Sequence, residues 1–243
     1  MGPGFSFEGT QARRTGAVGA FASVCFFFFT LFAPSAAAQQ VPANPCRVLV
    51  VGFVGGLGAA HFPPTLATPL LHHLRSLGYP GVCVKVVSSY CPWCAPRWVR
   101  KQFAQGKKCR LTPAQIESGP KVITFGYSLG VPNELHFARV LEREGIPIEL
   151  LVAVDSRGFT KGIIPGNVKA AANFYERQFY PFYFGKNNLR PEDPEATNFL
   201  GNIRVEHAGH FKIVRTAAVR HLLDDAVRGV FATNENTESA SNR

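Results

Sequence analysis

The stretch Lys121 to Gly130, Lys-Val-Ile-Thr-Phe-Gly-Tyr-Ser-Leu-Gly, constrains the fold of this chain more than any other. A β-branched apolar run ends in Gly126-Tyr127-Ser128-Leu129-Gly130, and helix-compatible sequence from Pro132 to Glu144 follows it. The order is strand, tight turn, helix. A serine at the apex of such a turn needs residues without side chains two before and two after it, because strand and helix crowd together there. Ser128 would then project its hydroxyl above the sheet edge, with the helix N-terminus beneath it. Five residues with three fixed recur by chance, so the weight of the motif comes from the strand before it and the helix after it.

The flanking sequence supplies the rest of a layered domain. Arg47 to Phe53 is an apolar run without alternation, as in strands covered on both faces. It breaks into Val54-Gly55-Gly56-Leu57-Gly58, which no Lys-Ser/Thr follows and whose glycine spacing does not match a dinucleotide fingerprint. That loop reads as a strand-to-helix turn. Thr65 to Leu77 sets Leu66, Leu70, Leu71, Leu74 and Leu77 at helical intervals and stops at Gly78, so it predicts an amphipathic helix. Val82 to Val87 and Pro147 to Val154 predict further strands. Strands alternating with helices in this way imply a three-layer α/β/α fold with a mostly parallel central sheet.

Beyond Asp155 the pattern loosens. Gly158 to Leu200 carries Phe174, Tyr175, Phe179, Tyr180, Phe182, Tyr183 and Phe184 among prolines. Helical spacing runs from Asn167 to Tyr180, and the remainder reads as loop. The segment either covers the core or forms a cap with an apolar substrate wall. Asn202 to Val205 predicts another strand, followed by Glu206-His207-Ala208-Gly209-His210-Phe211 and an amphipathic helix over Thr216 to Phe231. The polar tail from Thr233 is expected to be disordered.

Arg13-Arg14, an apolar run from Ala17 to Ala33 and Pro34-Ser35-Ala36-Ala37-Ala38 describe a secretory signal peptide cleaved after Ala38. The apolar run falls short of the ~20 residues a spanning helix needs. The expected organisation is a leader over 1–38, an α/β domain over 39–232 with the 158–200 excursion, and a tail over 233–243. Export implies a periplasmic or secreted protein. Its net charge of +10 would survive loss of the leader almost intact and could favour an anionic envelope surface. No nucleic-acid motif accompanies that charge.

Of six cysteines, Cys25 would leave with the leader. Cys46, Cys83, Cys91, Cys94 and Cys109 remain as disulfide candidates in an oxidising compartment, and the odd number leaves one over. Cys91-Pro92-Trp93-Cys94 has the spacing of a thiol-disulfide site at the start of a helix over Ala95 to Gln105. The rest of the chain lacks a thioredoxin-like order of elements. A structural bridge from Cys91 or Cys94 to Cys83 or Cys109 is therefore the expectation. A zinc site would need distant histidines as further ligands.

Asp155 closes an apolar strand at the carboxyl edge of the sheet, where open parallel sheets bind ligands. Its alternative role is to cap the next turn through its side chain. Serine, aspartate and histidine, in that order and each at a strand end, are the elements of a nucleophilic triad. The hydroxyl is a poor nucleophile until an imidazole accepts its proton. The imidazole in turn needs a carboxylate to fix its tautomer and stabilise its charged form.

Val48 to Gly56, Gly126 to Gly130 and Asn202 to Ile213 together resemble the small secreted lipases and thioesterase-like members of the α/β-hydrolase superfamily. The resemblance spans most of the chain after the leader, through short motifs. It implies His210 as the base, with His207 the rival three residues away. His61, His72, His73, His136 and His221 read as ordinary loop or helix residues. It also implies an oxyanion hole from the Leu129 and Phe53 N–H groups, although this chain has Val51-Gly52 where the family has His-Gly. Asp155 is the acid one strand earlier than in many members, and Asp193 is the competitor at the later position. The activity implied is an exported serine hydrolase cleaving a carboxylic ester or thioester of a small or lipid-like substrate through an acyl-enzyme, without metal or organic cofactor. The competing readings are a catalytically idle fold of this class that binds an envelope component, and a thiol-disulfide protein using Cys91 and Cys94.

Overall fold

The computed structural model describes residues 46–54, 73, 74, 76, 78, 79, 81–88, 91, 93–104, 110–157, 162–176 and 188–241, with side chains through residue 230. The expected leader, the glycine-rich loop after Val54, Cys109 and the aromatic run over 177–187 lie outside these residues. Eight strands and five helices are described: β1 (Val48–Val54), β2 (Val82–Ser88), α1 (Cys94–Phe103), α2 (Pro113–Glu117), β3 (Lys121–Tyr127), α3 (Gly130–Arg143), β4 (Leu150–Val154), β5 (Ile163–Ile164), β6 (Ala170–Tyr175), β7 (Arg190–Pro191), β8 (Asn198–Arg204), α4 (His210–Ile213) and α5 (Ala217–Ser241).

Six strands form one sheet in the order β2-β1-β3-β4-β6-β8, and every neighbouring pair is parallel. β5 and β7 form a separate two-stranded ribbon. The period-2 rule shows clearly in β1, whose seven residues are all buried. Leu49, Val51 and Phe53 pack with Val131, Phe137 and Leu141 of α3 and Val99 and Phe103 of α1 on one face. Val48, Val50 and Val54 pack with Val219, Leu223 and Val227 of α5 on the other. Helices therefore cover both faces, and the fold is the three-layer α/β/α arrangement with a parallel sheet. Phe137 and Leu141 are fully buried. Burying one such side chain contributes roughly 1.5–3 kcal/mol, which holds α3 firmly against the sheet.

The chain steps from β1 outward to β2, then returns past β1 to place β3 on its other side. The connections from the carboxyl ends of β1 and β3 thus diverge to opposite sides, leaving a crevice at that topological switch point. Ser128 follows β3 at that crevice. The entry to β3 is fixed locally: Thr112 caps α2 by accepting from the Gln115 amide at 3.3 Å, while the Gln115 side chain accepts from the Thr112 amide at 2.9 Å.

Three sequence expectations are corrected. Ala170–Tyr175, within the span read as helical from Asn167 to Tyr180, is a strand lying between β4 and β8. A short Ala-rich segment takes the conformation its neighbours can pair with, which overrides its local preference. Helix α5 does not stop at Phe231 but continues through Ser241 into the tail expected to be disordered. Lastly, Cys83 bonds to Cys46, and Cys91 bonds to Cys94. The Arg47 and Val48 amides both donate to the Gly81 carbonyl, at 2.7 and 3.1 Å, which draws the residue before β1 to the start of β2. Cys46 and Cys83 are 37 residues apart in sequence, and closing a loop of that length restricts the unfolded chain by about 4 kcal/mol. Among the described residues, no helix is long and apolar enough to cross a membrane.

Candidate active site

Ser128 stands immediately after β3 with φ 58°, a left-handed conformation that a residue with a Cβ adopts at a cost. Its backbone is held from three sides. The Ser128 amide donates to the Val154 carbonyl at 3.0 Å, and the Ser128 carbonyl accepts from the amides of Arg157 at 3.1 Å and Val131 at 3.3 Å. The turn is thereby tied to the end of β4 as well as to its own helix. Gly130 shows why the motif needs glycine after the serine: a Cβ there would lie 2.1 Å from the Phe53 carbonyl oxygen and 2.5 Å from its carbon. The obstruction is buried backbone of β1, which has little freedom to yield. Gly130→Ala is expected to lower stability by about 3 kcal/mol, at the upper end of overpacking costs. A urea unfolding midpoint unchanged from wild type would show that this contact is relaxed.

Asp155 follows β4 as Ser128 follows β3, and it too has a positive φ, 45°. Two adjacent strands thus end in strained non-glycine residues. Asp155 is 1% exposed, and each of its oxygens is engaged. Oδ1 accepts from the Glu176 amide at 3.2 Å. Oδ2 pairs with His210 Nδ1 and with Arg157 Nη2 at 3.3 Å. The Asp155 amide donates to the Phe174 carbonyl at 2.6 Å, so the carboxylate is oriented partly by β6, a strand absent from the sequence reading.

His210 is the first residue of α4, entered through Gly209 at φ 65°. The Tyr127 ring stacks on its imidazole at 5.0 Å and 25°, and the Phe211 ring meets it edge-on at 5.3 Å. The Tyr127 hydroxyl donates to the His210 carbonyl at 2.8 Å. Burial raises the Tyr127 pKa well above its ordinary value, with Asp155 adding to the rise and Arg157 and Arg215 opposing it. The phenol therefore keeps its proton and stays a donor. Nδ1 of His210 is committed to Asp155, which leaves Nε2 as the ring nitrogen that Asp155 does not engage.

The two rivals named from sequence are placed elsewhere. His207 is an exposed turn residue with φ 58°. Asp193 is exposed and caps a turn, its Oδ1 accepting from the amides of Glu195 at 2.9 Å and Ala196 at 3.3 Å. Leu129 is 46% exposed beside Ser128. Phe53 is buried one residue before the end of β1, in register with Gly126. Tyr127 and Arg157 escaped the sequence reading. Their only sequence signal was position, inside the serine motif and two residues after Asp155. Among the described residues, no group of three or more His, Cys, Asp or Glu side chains is arranged to hold a metal ion.

A buried carboxyl sits behind the turn. Glu134 on α3 is fully buried, its Oε1 accepts from the Thr124 hydroxyl at 2.6 Å, and its Oε2 lies against Gly126. Burial pushes its pKa well above the ordinary carboxylate range, and hydrogen bonds from the Thr124 hydroxyl and from the Val152 and Gly126 backbone oppose that rise. The folded state thus holds a proton that the unfolded chain gives up above about pH 4.3. The sign follows from linkage: stability is full below the unfolded pKa and falls as pH climbs toward the folded one, by about 1.4 kcal/mol per pH unit. Glu134→Gln keeps the acceptor for Thr124 and removes the titration. The variant is expected to match wild type near pH 4 and to exceed it increasingly at neutral pH, read from denaturant midpoints across that range. A stability gap independent of pH would contradict a protonated Glu134.

No family model matches the chain, and no curated protein matches it. Among solved structures, the crystal structure of human thioesterase 2 is similar at 11% identity and a TM-score of 0.40, with 77% of this chain and 97% of that chain covered.

Proposed function

We propose that this chain is an exported serine hydrolase that cleaves a carboxylic ester or thioester through a covalent acyl-enzyme. The reading is carried by one observation: Ser128 and Asp155 occupy strained positions after adjacent parallel strands, and Asp155 is bound to His210 Nδ1. Strain of this kind persists where surrounding structure over-determines it, and it gathers at functional sites.

In this mechanism His210 Nε2 takes the Ser128 proton as Oγ attacks the substrate carbonyl carbon. The carbonyl oxygen gains negative charge, and the N–H groups of Leu129 and Phe53 are the proposed donors to it. Losing one such donor typically costs about 3 kcal/mol of transition-state stabilisation. His210 then returns the proton to the leaving oxygen or sulfur, and water repeats the sequence in reverse on the acyl-enzyme. Asp155 holds the imidazole in the tautomer with the proton on Nδ1. Tyr127 fixes the plane of the ring through stacking and through the main chain. Arg157 helps fix Asp155 through its guanidinium, and its amide braces the Ser128 carbonyl.

The substrate is taken to be a small or lipid-like ester or thioester. Disulfide bonds accord with an oxidising destination, periplasmic or secreted. A fluorophosphonate probe tests the reading directly. Wild type is expected to be labelled covalently and Ser128→Ala is not; an unlabelled wild-type protein sinks the proposal.

A further inference from the structure

We infer that the Cys91–Cys94 disulfide is an exchange site for low-molecular-weight thiols, separate from the proposed hydrolytic site. The two disulfides of the described structure differ in loop length and in the burial of one partner, Cys83 being partly buried as Cys91 and Cys94 are. Cys46–Cys83 links residues 37 apart, and Cys46 is buried. Cys91–Cys94 links residues only 3 apart. A loop that short removes little freedom from the unfolded chain, so stabilisation is a weak reason for the bond. The sequence expectation of a staple to a distant cysteine is what the observed pairing removes.

The surroundings favour thiolate chemistry. Cys94 is the first residue of α1, a 10-residue helix whose first turn has no acidic residue and whose N-cap residue, Trp93, supplies no side-chain hydrogen bond. The positive end of the helix dipole is met neither by a side-chain cap from Trp93 nor by an acid in the first turn, which stabilises a thiolate at Cys94 and makes it a good leaving group. Arg97 is exposed one turn into the helix and adds positive charge there. The Cys94 amide donates to the Cys91 carbonyl at 3.0 Å, closing the turn. Access is open, because both cysteines are only partly buried and Trp93 between them is 67% exposed. An exposed indole beside a disulfide offers an incoming thiol an apolar contact.

The exchange balances as two displacements. A thiolate RS⁻ attacks Cys91 Sγ, the Cys91–Cys94 bond breaks, and Cys94 leaves with the electron pair as a thiolate. A second RS⁻ then attacks the R-group sulfur of the mixed disulfide, releasing RSSR and the Cys91 thiolate. The protein disulfide gains two electrons and the two thiols lose them; in the reverse direction an oxidised thiol re-forms the bond.

The test equilibrates the full-length protein in reduced and oxidised glutathione at a series of ratios, traps free thiols by alkylation and maps them by mass spectrometry. Cys91–Cys94 is expected to open at a glutathione ratio at least about 10³-fold less reducing than Cys46–Cys83 requires, the separation between catalytic and inert structural disulfides. Arg97→Glu puts an acid in the first turn and should make Cys91–Cys94 about 2- to 5-fold harder to reduce. Equal resistance of the two disulfides, or no effect of Arg97→Glu, overturns the inference. The readout does not involve Ser128, so its outcome is independent of whether the protein hydrolyses esters.

Discussion

Ser128→Ala lowers kcat/KM for a nitrophenyl ester by about 10⁵-fold or more, the expected loss when a triad nucleophile is removed and only binding and oxyanion contacts remain. The residue also carries a testable structural cost. With φ at 58°, any residue with a Cβ at this position is strained, and alanine keeps that strain while discarding the hydroxyl. Glycine discards both. Ser128→Gly is therefore expected to be as inactive as Ser128→Ala but about 1 kcal/mol more stable than it. Measured together, kcat/KM and unfolding midpoints separate a serine kept for chemistry from one kept for packing. An inactive variant of unchanged stability relative to its glycine counterpart would remove the argument from strain, and an active Ser128→Ala would remove the argument for the nucleophile.

Asp155→Asn is the second large effect, about 10⁴-fold in kcat. Asparagine fits the site better than any other replacement, because it tolerates the left-handed φ of 45° and its carbonyl can still accept from the Glu176 amide. Its NH₂ group, however, would face both the Arg157 guanidinium and His210 Nδ1, which are donors in the native arrangement. The imidazole must then turn or accept the wrong proton, and Nε2 can no longer take the role proposed for it as acceptor of the Ser128 proton. The same assay on His207→Ala and Asp193→Asn should stay within a factor of about 3, as surface substitutions generally do. Strong loss in either of those, with Asp155→Asn active, would reassign the acid or the base.

The serine turn was legible from sequence because everything that makes it is local. An apolar β-branched run, two glycines and a helix-forming segment lie within 25 residues, and their steric logic appears in the structure at Gly126 and Gly130. The strands of the sheet core were legible for a similar reason: unbroken apolar runs such as Val48–Val54 have no stable place except between two layers. Strand β6 was not legible. Ala170–Tyr175 carries no strand signal of its own and becomes one because β4 and β8 leave an unpaired ladder on either side of it.

The long-range pairings belong to the same class. Asp155 and His210 are 55 residues apart, and the choice of His210 over His207 depends on how β6 and β8 carry the chain back to the edge where β4 ends. The Cys46–Cys83 bond followed from the draw of Gly81 on the start of β1, whereas Cys91–Cys94 joins residues three apart in one turn. By itself, then, the sequence determined the layered α/β class and the strained turn at Ser128, since these follow from backbone sterics and periodicity over short spans. Only the tertiary structure decided which acid meets which histidine, that Tyr127 and Arg157 hold them, and that Cys46 is joined to Cys83. Those contacts are set by sheet order, which sums weak preferences across the whole chain.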